Sequence, residues 1–191
     1  MKKEQVLVQR MQQGDMSAFR ELVERYKKNI YYLAHDLTRN HHDAEDLSQE
    51  VFIKAFRSMQ NFRGDAKLSS WLYRITVNTA ISQKRKKSVS NMQLQENFDE
   101  CVNESEQNNK SFSRNPEKLA EAGLMRDHLE RAIQKLTPRE RSIFVLRHYN
   151  DLPQKEIAEI LKINVGTVKS MLFRAIKKLQ DELAFYKQEL G

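Results

Sequence analysis

The feature that most constrains this chain is a gap in its hydrophobic rhythm. From about residue 4 to 82 apolar residues recur at three- and four-residue steps, and the same spacing returns from Glu117 to the C-terminus. Between them lies SVSNMQLQENFDECVNESEQNNKSFSRNP, residues 88–116, rich in Ser, Asn, Gln and Glu and with little apolar material to bury. Such a chain is expected to form two small helical domains joined by a flexible acidic linker. Five Gly and three Pro are too few for an all-β chain of many turns, and the abundant Lys, Arg, Glu, Gln and Leu direct it to an all-α fold rather than a catalytic α/β scaffold. The expected division is residues 1–87, a linker at 88–118, and residues 119–191.

Charge follows the same division. The net +7 splits into +7 over residues 1–94, −3 over 95–118 and +3 over 119–191. Basic bodies on either side of an acidic strip favour a polyanionic partner, through the release of its counterions. The single cysteine, Cys101, forms no internal disulfide and no structural zinc site, which suits a reducing compartment. The N-terminal MKKEQVLVQRMQQGD has neither an unbroken apolar run nor a small-residue cleavage site, and no stretch approaches the roughly 20 apolar residues of a membrane span. A cytoplasmic protein without membrane insertion is expected.

In the C-terminal body, QKEIAEILKINVGTVKSMLFRAIKKL (residues 154–179) spaces Ile157, Ala158, Leu161, Ile163, Val168 and Leu172 as two helices crossing around a tight turn. At about 100° per residue, Val168, Leu172, Ile176 and Leu179 make the buried stripe of the second helix. Lys169, Ser170, Phe173, Arg174 and Lys177 fall on the opposite side. A charged surface helix is ordinarily just solvated. An aromatic ring among cations and a hydroxyl departs from that pattern and suits a recognition helix in a major groove, where phosphates, guanine edges and thymine methyls are met together.

In the N-terminal body, DAEDLSQEVFIKAFRSM (residues 43–59) reads as a helix capped by Asp43, with Asp46 in its first turn. Leu47, Val51, Phe52, Ala55, Phe56 and Met59 cover one broad side, while Asp43, Asp46, Glu50, Lys54 and Arg57 lie on the other. This acidic stripe repels DNA. It is either a solvated face or a docking face for a basic protein surface. A Gly-containing loop at residues 62–66 then leads to a helix from about Lys67 to Lys86, whose core face carries Leu68, Leu72, Ile75 and Thr79. Another face gathers Arg74, Asn78, Ile81, Ser82, Arg85 and, at its margin, Trp71. A lone Trp is more often core, but an aromatic, an amide and cations together suit unstacked single-stranded bases.

Other constellations hold no chemistry. His41, His42 and Asp43 stand in an apparent turn, so their side chains diverge, and with His35, Asp36, Glu45 and Asp46 they make a poor metal site. No Walker loop or nucleophile elbow is present, and Cys101 lies in the linker away from any base. Neither an enzyme nor a cofactor is expected.

DAEDLSQEVFIKAFRSMQNFRGDAKLSSWLYRITVNTAI and LTPRERSIFVLRHYNDLPQKEIAEILKINVGTVKSMLFRAIKKL resemble conserved regions 2 and 4 of bacterial extracytoplasmic-function (ECF, group 4) RNA polymerase sigma factors of the sigma-70 family. The resemblance spans nearly the whole chain. It implies an alternative sigma factor whose partners are core RNA polymerase (the clamp helices of its largest subunit and its flap), promoter DNA and an anti-sigma factor. It places polymerase docking on Asp43, Asp46, Gln49 and Glu50, and minus-10 recognition and melting on Phe62, Arg63, Gly64, Asp65, Ala66, Trp71 and Arg74, with Asn78 as the base reader. Minus-35 recognition falls to Thr167, Lys169, Ser170, Phe173, Arg174 and Lys177. By the same resemblance the linker threads toward the RNA exit path.

The chain departs from the family pattern at three positions. Met171 and Ile176 stand where many members carry Arg, which implies fewer phosphate contacts, and Lys162 occupies a turn position often held by Gly. A non-Gly residue with positive φ there costs about 1 kcal/mol. Two other readings stay open. LTPRERSIFVLRHYNDLPQKEIAEIL also resembles the DNA-binding domain of LuxR-type response regulators, which leaves residues 43–82 unexplained, and a purely protein-binding adaptor binds no DNA.

Overall fold

The computed structural model describes residues 2–94 and 116–186, with side chains described over residues 4–86 and 123–186. The described residues form eight α-helices and no strand: α1 (Lys2–Gln12), α2 (Met16–Thr38), α3 (His41–Ser58), α4 (Leu68–Leu94), α5 (Pro116–Gln134), α6 (Pro138–His148), α7 (Gln154–Leu161) and α8 (Val165–Glu182), with a 3-10 turn at Met59–Asn61. None of these helices is long and apolar enough to cross a membrane. Cys101 lies outside the described residues.

Local chemistry sets most of the boundaries. Gly14, at φ +86°, ends α1 in a Schellman turn closed by Asp15 N–H to the Arg10 carbonyl and Gly14 N–H to the Met11 carbonyl. Asp15 then caps α2, accepting from the backbone N–H groups of Ser17 (2.8 Å) and Ala18 (3.2 Å), with the Arg10 guanidinium at 2.9 Å. Thr137 and Glu140 form a reciprocal capping box on α6, with Pro138 at its first turn.

The helix carrying the acidic stripe starts earlier than expected. Its cap is Asn40, not Asp43: Asn40 Oδ1 accepts from Asp43 N–H at 3.0 Å from an extended backbone. His41 and His42 are therefore helical rather than in a turn. His41 bonds Tyr31 (Nδ1 to hydroxyl, 2.7 Å) and lies 3.3 Å from Glu45, and no group of three or more possible metal ligands is gathered among the described residues. Helix α4 continues to Leu94 and α5 begins at Pro116, both inside the span 88–118 expected for the linker. Lys162 adopts the positive φ that its turn position implied, at +53°.

The N-terminal core joins Leu7, Met11, Leu22, Tyr26, Ile30, Leu47, Val51, Leu68 and Leu72 from α1–α4. Phe56, expected in this core, is 49% exposed. In the C-terminal half, Ala132 and Ile133 of α5 and Leu136 just beyond it pack on Ala175 and Leu179 of α8. The remaining core departs from two bodies on a loose tether. Leu33 and Leu37 of α2 and Val77 of α4 share one buried cluster with Ile143, Val145 and Leu146 of α6, Ile157 and Ile160 of α7, and Val168 and Leu172 of α8. The two halves are closed on each other along this apolar seam.

Candidate nucleic-acid interface

The expected single-strand face begins at the loop between the 3-10 turn and α4. Arg63, Gly64 and Asp65 are exposed there and Ala66 is half-buried, with Gly64 at φ +77°, a backbone region that favours glycine. Phe62 does not reach solvent. Its ring packs on Trp71 at 4.9 Å between centroids, which leaves Trp71, half-buried, as the partly accessible aromatic. Asn78, two turns further along α4, is exposed.

The loop is braced from a direction the pattern of apolar residues did not signal. Gln12, at the end of α1, donates from Nε2 to the Phe62 carbonyl (2.8 Å) and the Met59 carbonyl (3.3 Å), and Gln60 donates back to the Gln12 carbonyl at 2.7 Å. These bonds fix the path of the backbone just before the exposed loop residues.

Arg74 is held away from that face's solvent. It donates from Nε to the Ile160 carbonyl (2.8 Å) and from Nη2 to the Glu159 carbonyl (2.6 Å), at the C-terminal end of α7 where helix carbonyls lack intrahelical partners. One turn earlier Ser70 donates to Glu156 at 2.9 Å, and Lys67 lies 3.7 Å from the same carboxylate. The first helix of the C-terminal helix-turn-helix therefore sits on the first half of α4.

The second face is open. On α8, Lys169, Ser170, Phe173, Arg174 and Lys177 are exposed and Thr167 is half-buried, with the Phe173 ring 69% exposed. Ser170 donates only to the Thr167 carbonyl, at 3.1 Å. Beneath them Val168, Leu172, Ala175 and Leu179 are buried, and Met171 and Ile176 pack half-buried against the seam. Those two positions thus serve packing rather than charge. Lys178, on the inner side, bonds Glu140 (2.8 Å). Burial pushes the Glu140 carboxyl up, but the bonds from Lys178 and Thr137 outweigh it and hold the group below its usual value.

The acidic face of α3 is divided by its contacts. Glu50 accepts from Lys54 and from Gln83 of α4, each at 2.6 Å, and the Lys54 ammonium holds its carboxyl below the usual value. Asp43 is half-buried and already engaged. Asp46 and Gln49 are exposed, next to Ile53 (51% exposed) and Phe56. An acid and an amide beside bare apolar side chains make a better protein-docking surface than a uniformly charged stripe, because burial of the apolar part supplies affinity while the polar part sets orientation.

Known proteins share this fold and this sequence pattern. A family model described as Sigma-70 region 2 matches residues 22–89, and one described as Sigma-70, region 4 matches residues 126–179. The ECF RNA polymerase sigma-E factor of Escherichia coli strain K12 is 38% identical over 186 residues, covering 94% of each chain. The ECF RNA polymerase sigma factor SigE of Mycolicibacterium smegmatis is 34% identical over 178 residues, 93% of this chain and 66% of that one. Two solved structures share the fold: CnrH in complex with the cytosolic domain of CnrY (TM-score 0.64, 23% identity, 94% of this chain and 96% of that) and the sigma factor RpoE with the anti-sigma factor NepR from Bartonella quintana (TM-score 0.65, 24% identity, 87% and 96%). Identity sustained along 94% of both chains, with regions 2 and 4 in order, means that this protein belongs to the extracytoplasmic-function RNA polymerase sigma factors of the sigma-70 family.

Proposed function

We propose that this sigma factor works as a dissociable specificity subunit that catalyses no reaction itself, acts in the cytoplasm and divides promoter reading between its two bodies. Asp46 and Gln49, with Ile53 and Phe56 beside them, dock on core RNA polymerase, and Asp43 and Glu50 support that surface from within. Arg63, Gly64, Asp65 and Ala66, over the Phe62–Trp71 pair, border the pocket in which Asn78 reads an unstacked minus-10 base. Thr167, Lys169, Ser170, Phe173, Arg174 and Lys177 read the duplex minus-35 element.

The observation that carries this reading is the exposed face of α8. A largely exposed ring flanked by cations, on a helix whose other side is buried, costs solubility unless it meets a partner that is both anionic and apolar. A major groove is such a partner. On α4, Arg74 becomes available to DNA only when α7 leaves it, so minus-10 reading requires the bodies to part. CnrH and the Bartonella RpoE were solved with protein partners, and an anti-sigma factor is proposed here as well.

The test is run-off transcription with purified core RNA polymerase and the DNA upstream of this protein's own gene. A transcript that requires the protein and falls at least tenfold with Asn78→Ala, polymerase binding unchanged, supports the assignment. Tight duplex binding without polymerase and no transcript would move the protein to the helix-turn-helix regulators.

A further inference from the structure

The seam between the two bodies carries a charge imbalance that promoter reading does not use. Arg39, the left-handed cap of α2 at φ +57°, has a side chain only 7% exposed. Its guanidinium lies over the Tyr149 ring at 4.9 Å, and Nη1 comes no nearer than 3.7 Å to Glu130 and 3.9 Å to Asp36. Its Nε and Nη2 are buried with no hydrogen-bond partner. Arg141 of α6 is buried beside it and, among the described residues, bonds carbonyls alone: Ile133 at 3.2 Å, Gln134 at 2.6 Å and, across the seam, Leu37 at 3.2 Å. Carbonyls satisfy donors but leave the charge in place. Buried charges are ordinarily matched by opposite ones at hydrogen-bond distance; Arg39 meets Glu130 and Asp36 only at 3.7 and 3.9 Å and Arg141 bonds carbonyls, so the two guanidinium groups are loosely compensated.

A cavity of about 570 Å³ adjoins them. Arg39 and Lys84 line it from the N-terminal body, Arg131 and Arg141 from the C-terminal body, and Asp43 is the one carboxylate among its described lining residues. Lys84 and Arg131 are exposed at its mouth, where their donors can meet a ligand directly, while Arg39 and Arg141 act from behind through a low-dielectric wall that focuses their field. The cations already act on one another. Desolvation, and then Arg141, pull the Lys84 ammonium below its usual value, and desolvation, then Arg39, do the same to Arg141.

We propose that this interbody cavity binds a multiply charged phosphate compound, which Lys84 and Arg131 grip from opposite sides and which thereby holds the two bodies closed. A single carboxylate neutralises one cation. Asp43 on the lining and Glu130 and Asp36 beside Arg39 offset part of the positive charge. Lys84 and Arg131, exposed at the mouth, suit an anion with two or more negative charges, whose phosphate oxygens match guanidinium donors in geometry as well as sign. The volume lies within the range of small-ligand sites. Because the ligand touches both bodies, it opposes the parting that frees Arg74.

Isothermal titration of the full chain with sodium tripolyphosphate, and separately with ATP, at matched ionic strength tests the site. One-to-one saturable binding is expected, weakened about tenfold or more in Lys84→Gln/Arg131→Gln, as follows from losing two charge-assisted contacts, and unchanged in Lys28→Gln, an exposed lysine of α2. Circular dichroism of each variant checks that it is folded. Tighter binding of ATP identifies a nucleotide as the natural source and tighter binding of tripolyphosphate an inorganic chain; either keeps the site. No saturable binding overturns the proposal. Equal weakening in Lys28→Gln, or loss in Lys169→Gln/Lys177→Gln with the cavity variant unaffected, does so as well, since the anion would then sit on the general surface or on α8. None of these readouts requires polymerase or promoter.

Discussion

Helices α4 and α8 carry similar equipment, an aromatic residue beside cations and a small polar group, yet the structure treats them oppositely. On α8 every polar residue expected to meet DNA except half-buried Thr167 faces solvent. On α4 the guanidinium of Arg74, one turn beyond Trp71, is spent on the carbonyls of Glu159 and Ile160. One face is ready and the other is latched, and the latch is built from the same helix-turn-helix that carries the open face. Under the proposed function, duplex contact comes before single-strand contact because of the packing rather than because of either helix alone.

The comparison breaks first at the apolar seam. Leu33 is fully buried in the cluster formed largely by α6–α8. If the bodies are closed in solution, Leu33→Ala costs about 2–5 kcal/mol in urea unfolding of the full chain, as large-to-small core changes do. If they are independent, Leu33 is a surface leucine and the change stays within about 0.5 kcal/mol. Next, Arg174→Ala should cost about 1–3 kcal/mol in holoenzyme affinity for promoters with an intact minus-35 element, the worth of one base-edge contact. Arg74→Ala should leave that duplex contribution intact. Equal losses from both variants would mean that the two faces are not separately available.

The latch itself is smaller. Glu156→Ala removes the bond from Ser70 and the ion pair with Lys67, together about 0.5–1.5 kcal/mol when part of it is exposed to solvent. Hydrogen exchange at the α7 amides should speed up by about two- to tenfold, with α8's outer turns unchanged. Unaltered exchange would leave the seam held by its apolar contacts alone.

Much of this was legible in the residues. The three- and four-residue rhythm located the helices, and the outer face of α8 emerged from its angles because no other described element covers it. Capping chemistry was ambiguous at α3, where Asn40 and Asp43 are both good caps and only the backbone path decides. The extra turns of α4 up to Leu94 lack an apolar stripe, so periodicity had no purchase on them. The seam was hidden for a different reason. Leu33, Leu37 and Val77 look like core residues of their own body, and a helical pattern states that a side chain is buried without stating against what. The latch and the Gln12 brace rest largely on backbone carbonyls, which carry no sequence signature.

The smallest effect concerns the turn between α1 and α2, which carries Gln12 and hence the loop before Trp71. Bonds from Ser17, then Arg10 and Ala18, lower the Asp15 carboxyl from 3.8 to about 2. A carboxyl depressed in the folded state contributes stability that is fully present above its unfolded value and is lost as pH falls through the folded one. The contribution should therefore be complete above about pH 4 and fade toward pH 2. Asp15→Asn keeps a capping oxygen while removing the titration, so its thermal midpoint should fall less steeply than the parent's across that interval. Because Asp15 is solvent-accessible, added salt should narrow the gap between the two chains. If the two melting profiles run parallel from pH 4 to 2 at low salt, the cap works through geometry alone, and the Arg10 charge contributes nothing to holding the brace.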